Sequence, residues 1–232
     1  MQSKIEVIHE GINTDKAAPN PGAQLTLKRD GTVFNCGDEV VTFVSRNLEP
    51  YRGYHTFMRA LPRILAERPR ARILIIGGDS VSYGSSAPKG GTWRDVFLRE
   101  VRDTLDMSRV HFVGRVSYAI FLNAMQISSV HVYLTYPFVL SWSMLEAMAC
   151  GGLIVGSDTA PVREVIHHGV NGLLTNFFNA DALAEHVIDA LAFPQRYHPL
   201  RTLARRTIID NYDLQSVCLP RGINLLERFA CV

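Results

Sequence analysis

A chain of 232 residues, 47% hydrophobic and 20% charged, has the length and composition for one substantial core with or without appended helices. Lys and Arg total 24 against 22 Asp and Glu; the net charge of +2 excludes a general basic field for nucleic acid, so any anion chemistry rests on a few placed arginines. Cys36, Cys150, Cys218 and Cys231 are scattered without a Cys-x-x-Cys pair, which suggests neither a zinc site nor a dithiol centre and makes a reducing cytoplasm the expected location.

Met1 to His9 lacks the apolar core of a signal peptide, and no run of about 18 apolar residues occurs to span a membrane; peripheral membrane contact stays open. Residues 11–39, punctuated by Pro19-Asn20-Pro21-Gly22, read as irregular linker or edge structure rather than core. Val40–Val44 reads as a strand, and Tyr54–Glu67 as an amphipathic helix with Phe57, Leu61, Ile64 and Leu65 on one face and Pro62 as a kink point. Arg72–Ile76 is an apolar strand ending in Gly77-Gly78, and Ser80–Gly91 is a loop of the length that is usually functional or mobile. Trp93–Leu105 is a helix, Val110–Val113 a strand, Tyr118–Ile127 a helix and Val130–Leu134 a strand. A helix opens at Ser143–Ala149, Leu153–Gly156 and Gly172–Leu174 are strands, and Ala180–Ala192 is a helix. Arg201–Asn211 and Leu214–Phe229 have helical period with no strand after them, as an appended terminal pair.

Apolar strands alternating with helices predict an α/β fold: a Rossmann-like parallel sheet with helices on both faces plus C-terminal helices. Ligands of such sheets bind beyond the carboxyl ends of the strands, and four segments fall there. In Ser45–Gly53, Arg46 and Arg52 stand six apart in a glycine-terminated turn before a helix, placed to converge on one pyrophosphate; two surface arginines on a solvated loop are the alternative. Gly77-Gly78-Asp79 permits close backbone approach or is a plain turn, and Phe112–Val116 leaves free backbone groups for a flat base. The strongest segment is Tyr136–Gly151, where a strand runs through a turn into a helix whose first N–H groups can receive phosphate oxygens. Glu146 is placed to accept ribose hydroxyls, although Ser143-x-x-Glu146 also reads as a capping box.

Together these residues resemble family 4 glycosyltransferases (group 1), retaining enzymes of two facing Rossmann-like domains, the GT-B fold. The resemblance runs from Val7 to about Glu227. Val7–Asn13 is similar to the interdomain linker, and Arg46 with Arg52-Gly53 to the Arg and Lys-Gly pair that clamps the donor pyrophosphate. Leu145-Glu-Ala-Met-Ala-Cys-Gly151 is the most specific match; Val155–Asp158, Glu164–Ile166 and Gly169–Leu174 follow in the family's order. The resemblance implies Arg46 and Arg52 as catalytic residues. It implies donor contacts from Gly78, Val116, Phe138, Val139, Leu140, Ser141, Met144, Leu145 and the ribose-binding Glu146. It divides the chain into a linker and edge segment (1–39), a donor-binding domain (40–195) and C-terminal helices packed on it (196–232). The donor is a nucleoside-diphosphate sugar and no metal is expected, consistent with the lack of an Asp-x-Asp; the histidines show no metal-ligand grouping.

Two departures stand out. Eight positions before Glu146 the family places a second glutamate near the donor sugar, and here that residue is Phe138. Pro137–Ser143 is similar to a sub-group pattern, so the change does not by itself imply inactivity. The acceptor-binding domain is expected ahead of Ile5 and is not in this sequence, so the chain alone is expected to bind donor and transfer little, as a fragment, a split enzyme or a truncated product. The rival reading is a non-catalytic nucleotide-sugar-binding module or pseudoenzyme partner; a structural interaction domain with an exposed apolar face is a third. A dinucleotide-dependent oxidoreductase is rejected, because Ser45-Arg46-Asn47 stands where Gly-x-Gly-x-x-Gly is required.

Overall fold

The first elements are a small antiparallel pair, β1 (Gln24–Thr26) and β2 (Val33–Asn35), in the computed structural model, which describes residues 6–230. Residues 1–5, 231 and 232, with Cys231, lie outside the described residues. This pair corrects the reading of 11–39 as non-core. Leu25 and Phe34 point inward from alternate positions and, with Ile12, Ala17, Ala23 and Leu27, join one of the two hydrophobic cores. Three-residue strands are too short for the alternation to stand out in the sequence, and their stability comes from burial under a helix.

The sheet follows. Its strands are β3 (Val40–Asn47), β4 (Arg72–Gly78), β5 (Val110–Gly114), β6 (Val130–Tyr133), β7 (Leu153–Ser157) and β8 (Leu173–Thr175). The helices are α1 (Tyr54–Glu67), α2 (Trp93–Val101), α3 (Tyr118–Ile127), α4 (Trp142–Ala149), the single turn α5 (Ala160–Arg163), α6 (Ala180–Ala192), α7 (His198–Tyr212) and α8 (Leu219–Ala230). α1 continues through Pro62. All sheet pairings are parallel, in the order β5-β4-β3-β6-β7-β8.

Side chains alternate across the sheet, so one strand feeds both cores. Ile73 and Ile75 pack with α1, α2 and α6, whereas Leu74 and Ile76 pack with α3, α4 and α7. Full burial of such a side chain contributes about 1.5–3 kcal/mol. Both faces are covered, which is why these strands read as continuous apolar runs. One polar cluster interrupts the second face: Thr42 Oγ1 lies 2.9 Å from His131 Nδ1 and 2.7 Å from Ser128 Oγ. Burial pushes the His131 imidazole down to about 3, so it stays neutral.

From β3 the chain winds outward to β4 and β5, then returns to β6 and winds the other way. The connections after β3 and β6 therefore leave the sheet in opposite directions and open a crevice at their carboxyl ends. At the far end, the segment before β1 is tied to the junction of α7 and α8. Ile12 N–H donates to Tyr212 O at 2.8 Å, Leu214 N–H to Ile12 O at 2.9 Å, and Thr14 Oγ1 to Asp213 Oδ2 at 2.6 Å. α8 then presents Leu219, Ile223, Leu226 and Phe229 to solvent along one face.

Candidate functional site

Strand β3 ends at Asn47, and a 3₁₀ turn over Pro50–Arg52 closes on Gly53 at φ 68°. That turn is pressed against the end of β6: a Cβ on Gly53 would stand 2.3 Å from Leu134 Cβ. The contact carries Arg52 across to the adjacent strand end, where its Nη1 donates to Thr135 Oγ1 at 3.0 Å and to Val139 O at 3.3 Å. Thr135 is fixed in turn, because its N–H donates to Ser157 Oγ and that hydroxyl donates to Thr135 O, both at 3.0 Å. Two rings in contact with each other pack against the guanidinium. Arg52 Cζ lies 5.2 Å from the Tyr83 centroid and 5.5 Å from that of Phe138, and the rings stand 4.8 Å apart. Phe138, in the place of the family's second glutamate, thus meets a cation through its π face.

Two cavities open along the crevice, of about 860 and 440 Å³. They share Val44, Ser45 and Arg46. Arg46 is exposed and pairs with no carboxylate among the described residues, so its charge stands at the junction. The smaller cavity adds Arg52, Tyr83 and the run Phe138–Trp142; the larger adds Gly77, Ser80–Ser82, Arg115, Val116, Tyr118 and Phe121. Of the two glycines ending β4, Gly77 lines the larger cavity, while Gly78 packs behind it against Arg115 and Asn47.

Helix α4 begins one residue earlier than the sequence suggests. Its N-cap is Ser141, whose Oγ accepts from Ser143 N–H, so the capping-box reading of Ser143 and Glu146 is corrected: Ser143 lies inside the first turn. The cap consumes some of the amides that a phosphate would use. Ser141 N–H donates to the buried Tyr133 hydroxyl at 2.8 Å, and Met144 N–H donates to Ser141 O at 3.3 Å. Val139, Leu140 and Trp142 line the smaller cavity, and their N–H groups have no partner among the described residues. Met144 is fully buried, and Leu145 faces a third cavity of about 320 Å³ beside Ile8–Gly11.

Glu146 is 7% exposed and lines neither main cavity. Tyr118, at the start of α3, does line the larger one. Burial pushes the Glu146 carboxyl above its ordinary value of 4.5, and the neighbouring Tyr118 hydroxyl partly offsets the shift. The native state therefore holds that proton more tightly than the unfolded chain. The contribution to stability is full at low pH and is lost as pH rises from about 4.5 through the folded value. Glu146→Gln is expected to flatten this decline and to melt higher than wild type at about pH 7, a comparison that melting curves across pH resolve.

The sequence missed Tyr133, Thr135, Ser157, Glu49 and Tyr83, which hold the site rather than advertise it. Asn47 belongs with them, accepting from Arg115 Nη2 at 3.0 Å. The arrangement defines a class first: a Rossmann-like α/β domain with an arginine-lined, amide-bearing crevice at its topological switch point. Residues 26–207 match the family described as Glycosyl transferases group 1, and the chain belongs to that family. A similar curated protein is a GDP-mannose-dependent alpha-(1-6)-phosphatidylinositol monomannoside mannosyltransferase of Mycolicibacterium smegmatis, 22% identical over 96% of this chain and 55% of the relative. Among solved structures, HepE of Anabaena in complex with UDP and glucose superposes with a TM-score of 0.73 at 19% identity, over 96% of this chain and 57% of that one. The C-terminal domain of a glycosyl transferase group 1 family protein from Francisella tularensis superposes with a TM-score of 0.71 at 15% identity, over 88% of this chain and 100% of that one. The fold is thus the Rossmann-like half of the GT-B architecture, and the chain spans about half the length of the curated relatives it matches.

Proposed function

We propose that this chain binds a nucleoside-diphosphate sugar and supplies the donor half of a glycosyl transfer. The observation that carries the reading is Arg46 at the junction of two cavities, with Arg52 and the unpartnered N–H groups of Val139, Leu140 and Trp142 lining the smaller one. The larger cavity, walled by Gly77, Val116 and Tyr118, takes the nucleoside; the smaller takes the diphosphate and sugar. Donor uptake that turns Tyr118 aside brings Glu146 within reach of the ribose hydroxyls. As the bond from the anomeric carbon to the diphosphate oxygen breaks, negative charge grows on the leaving diphosphate. Arg46, Arg52 and the three amides stabilise it, without a metal. Retention of configuration is part of this reading. So is a cytoplasmic location, supported by the scattered cysteines and by the lack, among the described residues, of a helix long and apolar enough to cross a membrane.

The names of the relatives point to a UDP- or GDP-linked hexose as donor. The acceptor, a sugar, lipid or other hydroxyl compound, approaches from a second domain opposite the crevice. Val139 at 69% and Trp142 at 57% exposure leave apolar surface at the crevice that such a domain would cover. Phe138 favours a second reading, a nucleotide-sugar-binding module without transfer, since no carboxylate lines the smaller cavity. Slow hydrolysis of the bound donor separates the two, being expected of the enzyme half and not of the module.

Calorimetric titration with UDP, GDP and ADP tests the reading. One of them is expected to bind saturably to the wild-type chain and not to the Arg46→Ala, Arg52→Ala double variant. Equal binding by both chains would place the nucleotide elsewhere.

A further inference from the structure

We propose that Glu49 is a positioning residue: it holds the loop after β4 so that Tyr83 packs beside Phe138 against one side of Arg52, and so aims the guanidinium into the diphosphate cavity. The inference rests on the donor-site reading. Glu49 sits between Arg46 and Arg52 in the turn after β3, yet it pairs with neither. Its side chain is fully buried, and Oε2 accepts from three successive N–H groups, Ser82 at 3.3 Å, Tyr83 at 3.2 Å and Gly84 at 3.1 Å. Three consecutive amides around one carboxylate oxygen form a concave anion nest, here closed by the protein's own side chain. The neighbouring Asn47 donates from Nδ2 to Ser82 Oγ, so the turn grips the loop at two adjacent points.

The other oxygen, Oε1, is buried with no hydrogen-bond partner. A buried carboxylate with an unsatisfied oxygen is costly, and an apolar residue would pack there at less expense. The arrangement makes physical sense through what the nest carries. Tyr83 lies at the centre of the three amides, and its ring is one of the two that pack against Arg52. Arg52 already commits Nη1 to Thr135 and Val139, which fixes the base of the fork. The aromatic pair, its rings 4.8 Å apart, then walls off one side of the guanidinium. Movement of Tyr83 would open half of that wall, and the loop backbone gripped by Glu49 sets where Tyr83 stands.

A double-mutant cycle with a hydrogen-exchange readout tests this on the full chain. The probe is whichever of UDP, GDP and ADP the wild-type chain binds best. Glu49→Gln is expected to speed amide exchange at residues 82–84 by about tenfold or more and to weaken nucleotide binding by about tenfold. Tyr83→Leu, at a side chain 42% exposed, is expected to weaken binding similarly without touching the core. Because both act through one contact, the double variant is expected to bind within about twofold of the weaker single variant. Unchanged exchange in Glu49→Gln overturns the anchoring. Faster exchange with unchanged affinity, or losses that simply multiply in the double variant, overturns the route through Tyr83 to Arg52. Should Glu49→Gln not fold, undiminished binding by Tyr83→Leu overturns the proposal and a tenfold loss supports it. A wild-type chain that binds no nucleotide removes the donor-site reading itself, a failure distinct from wild-type binding that Glu49→Gln leaves intact.

Discussion

Gly53→Ala is expected to lower the unfolding free energy by about 2–4 kcal/mol, a large effect for one added methyl. Two costs combine. The residue adopts φ 68°, where an L side chain is strained, and the new Cβ would stand 2.3 Å from Leu134 Cβ. Neither relaxes easily, because Leu134 is 2% exposed and belongs to the core under α1. Gly114 provides the control: it has φ 74° and nothing within 4 Å of where an added methyl would sit, so Gly114→Ala carries the backbone cost alone, about 1 kcal/mol. Denaturant unfolding of the two variants beside wild type measures the difference. Equal losses would mean that the turn is not pressed on β6 as described.

Arg52→Ala is expected to weaken nucleoside-diphosphate binding about a hundredfold, the free energy of one to two charge-assisted hydrogen bonds. It removes the guanidinium from the smaller cavity and leaves buried Thr135 Oγ1 without its donor. Arg52→Lys restores the residue type that the family usually carries here, and is expected to lie within about tenfold of wild type. A lysine keeps the charge but loses the fork that bridges Thr135, Val139 O and the two rings. A full hundredfold loss in Arg52→Lys would show that fork geometry, rather than charge, is what the ligand requires. Titration calorimetry of both variants reads the result.

The sheet was legible because its strands are buried on both faces, so that Arg72–Ile76 and Leu153–Gly156 stand out as apolar runs between helical periods. α1, α3 and α6 agree in both bounds with the helices read from periodicity. What was lost has physical reasons. Leu25 and Phe34 lie in strands too short for alternation to register. α4 is capped by Ser141 rather than Ser143, and two serines spaced by one residue cannot be ranked without the backbone. Leu214–Cys218 widens into a π turn that merges with α8, where the sequence shows only continued helical period.

At the site, the sequence supplied the residues whose chemistry faces the crevice, Arg46, Arg52 and the run from Phe138, since charge and turn position mark them locally. It did not supply their holders. Arg52 is anchored by Thr135, 83 positions away, and Thr135 by Ser157, and nothing in either neighbourhood signals the pairing. Glu49 was in plain view between two arginines, the obvious partners for a carboxylate, and its real partners are backbone amides some 33–35 positions on. Nor does the spacing show that Ser141 N–H is spent on Tyr133, which leaves Val139, Leu140 and Trp142 as the residues there whose N–H groups have no partner among the described residues.

On the proposed reading a nucleoside diphosphate lies in the crevice between the ends of β3 and β6. Backbone amide resonances followed during titration with UDP, GDP and ADP test it most directly. One nucleotide is expected to shift the amides of Val139, Leu140 and Trp142 most, together with those flanking Arg46 and Val116, while Ser141, bonded to Tyr133, moves less. Saturable shifts confined to another part of the surface, or none with any of the three nucleotides, would contradict it.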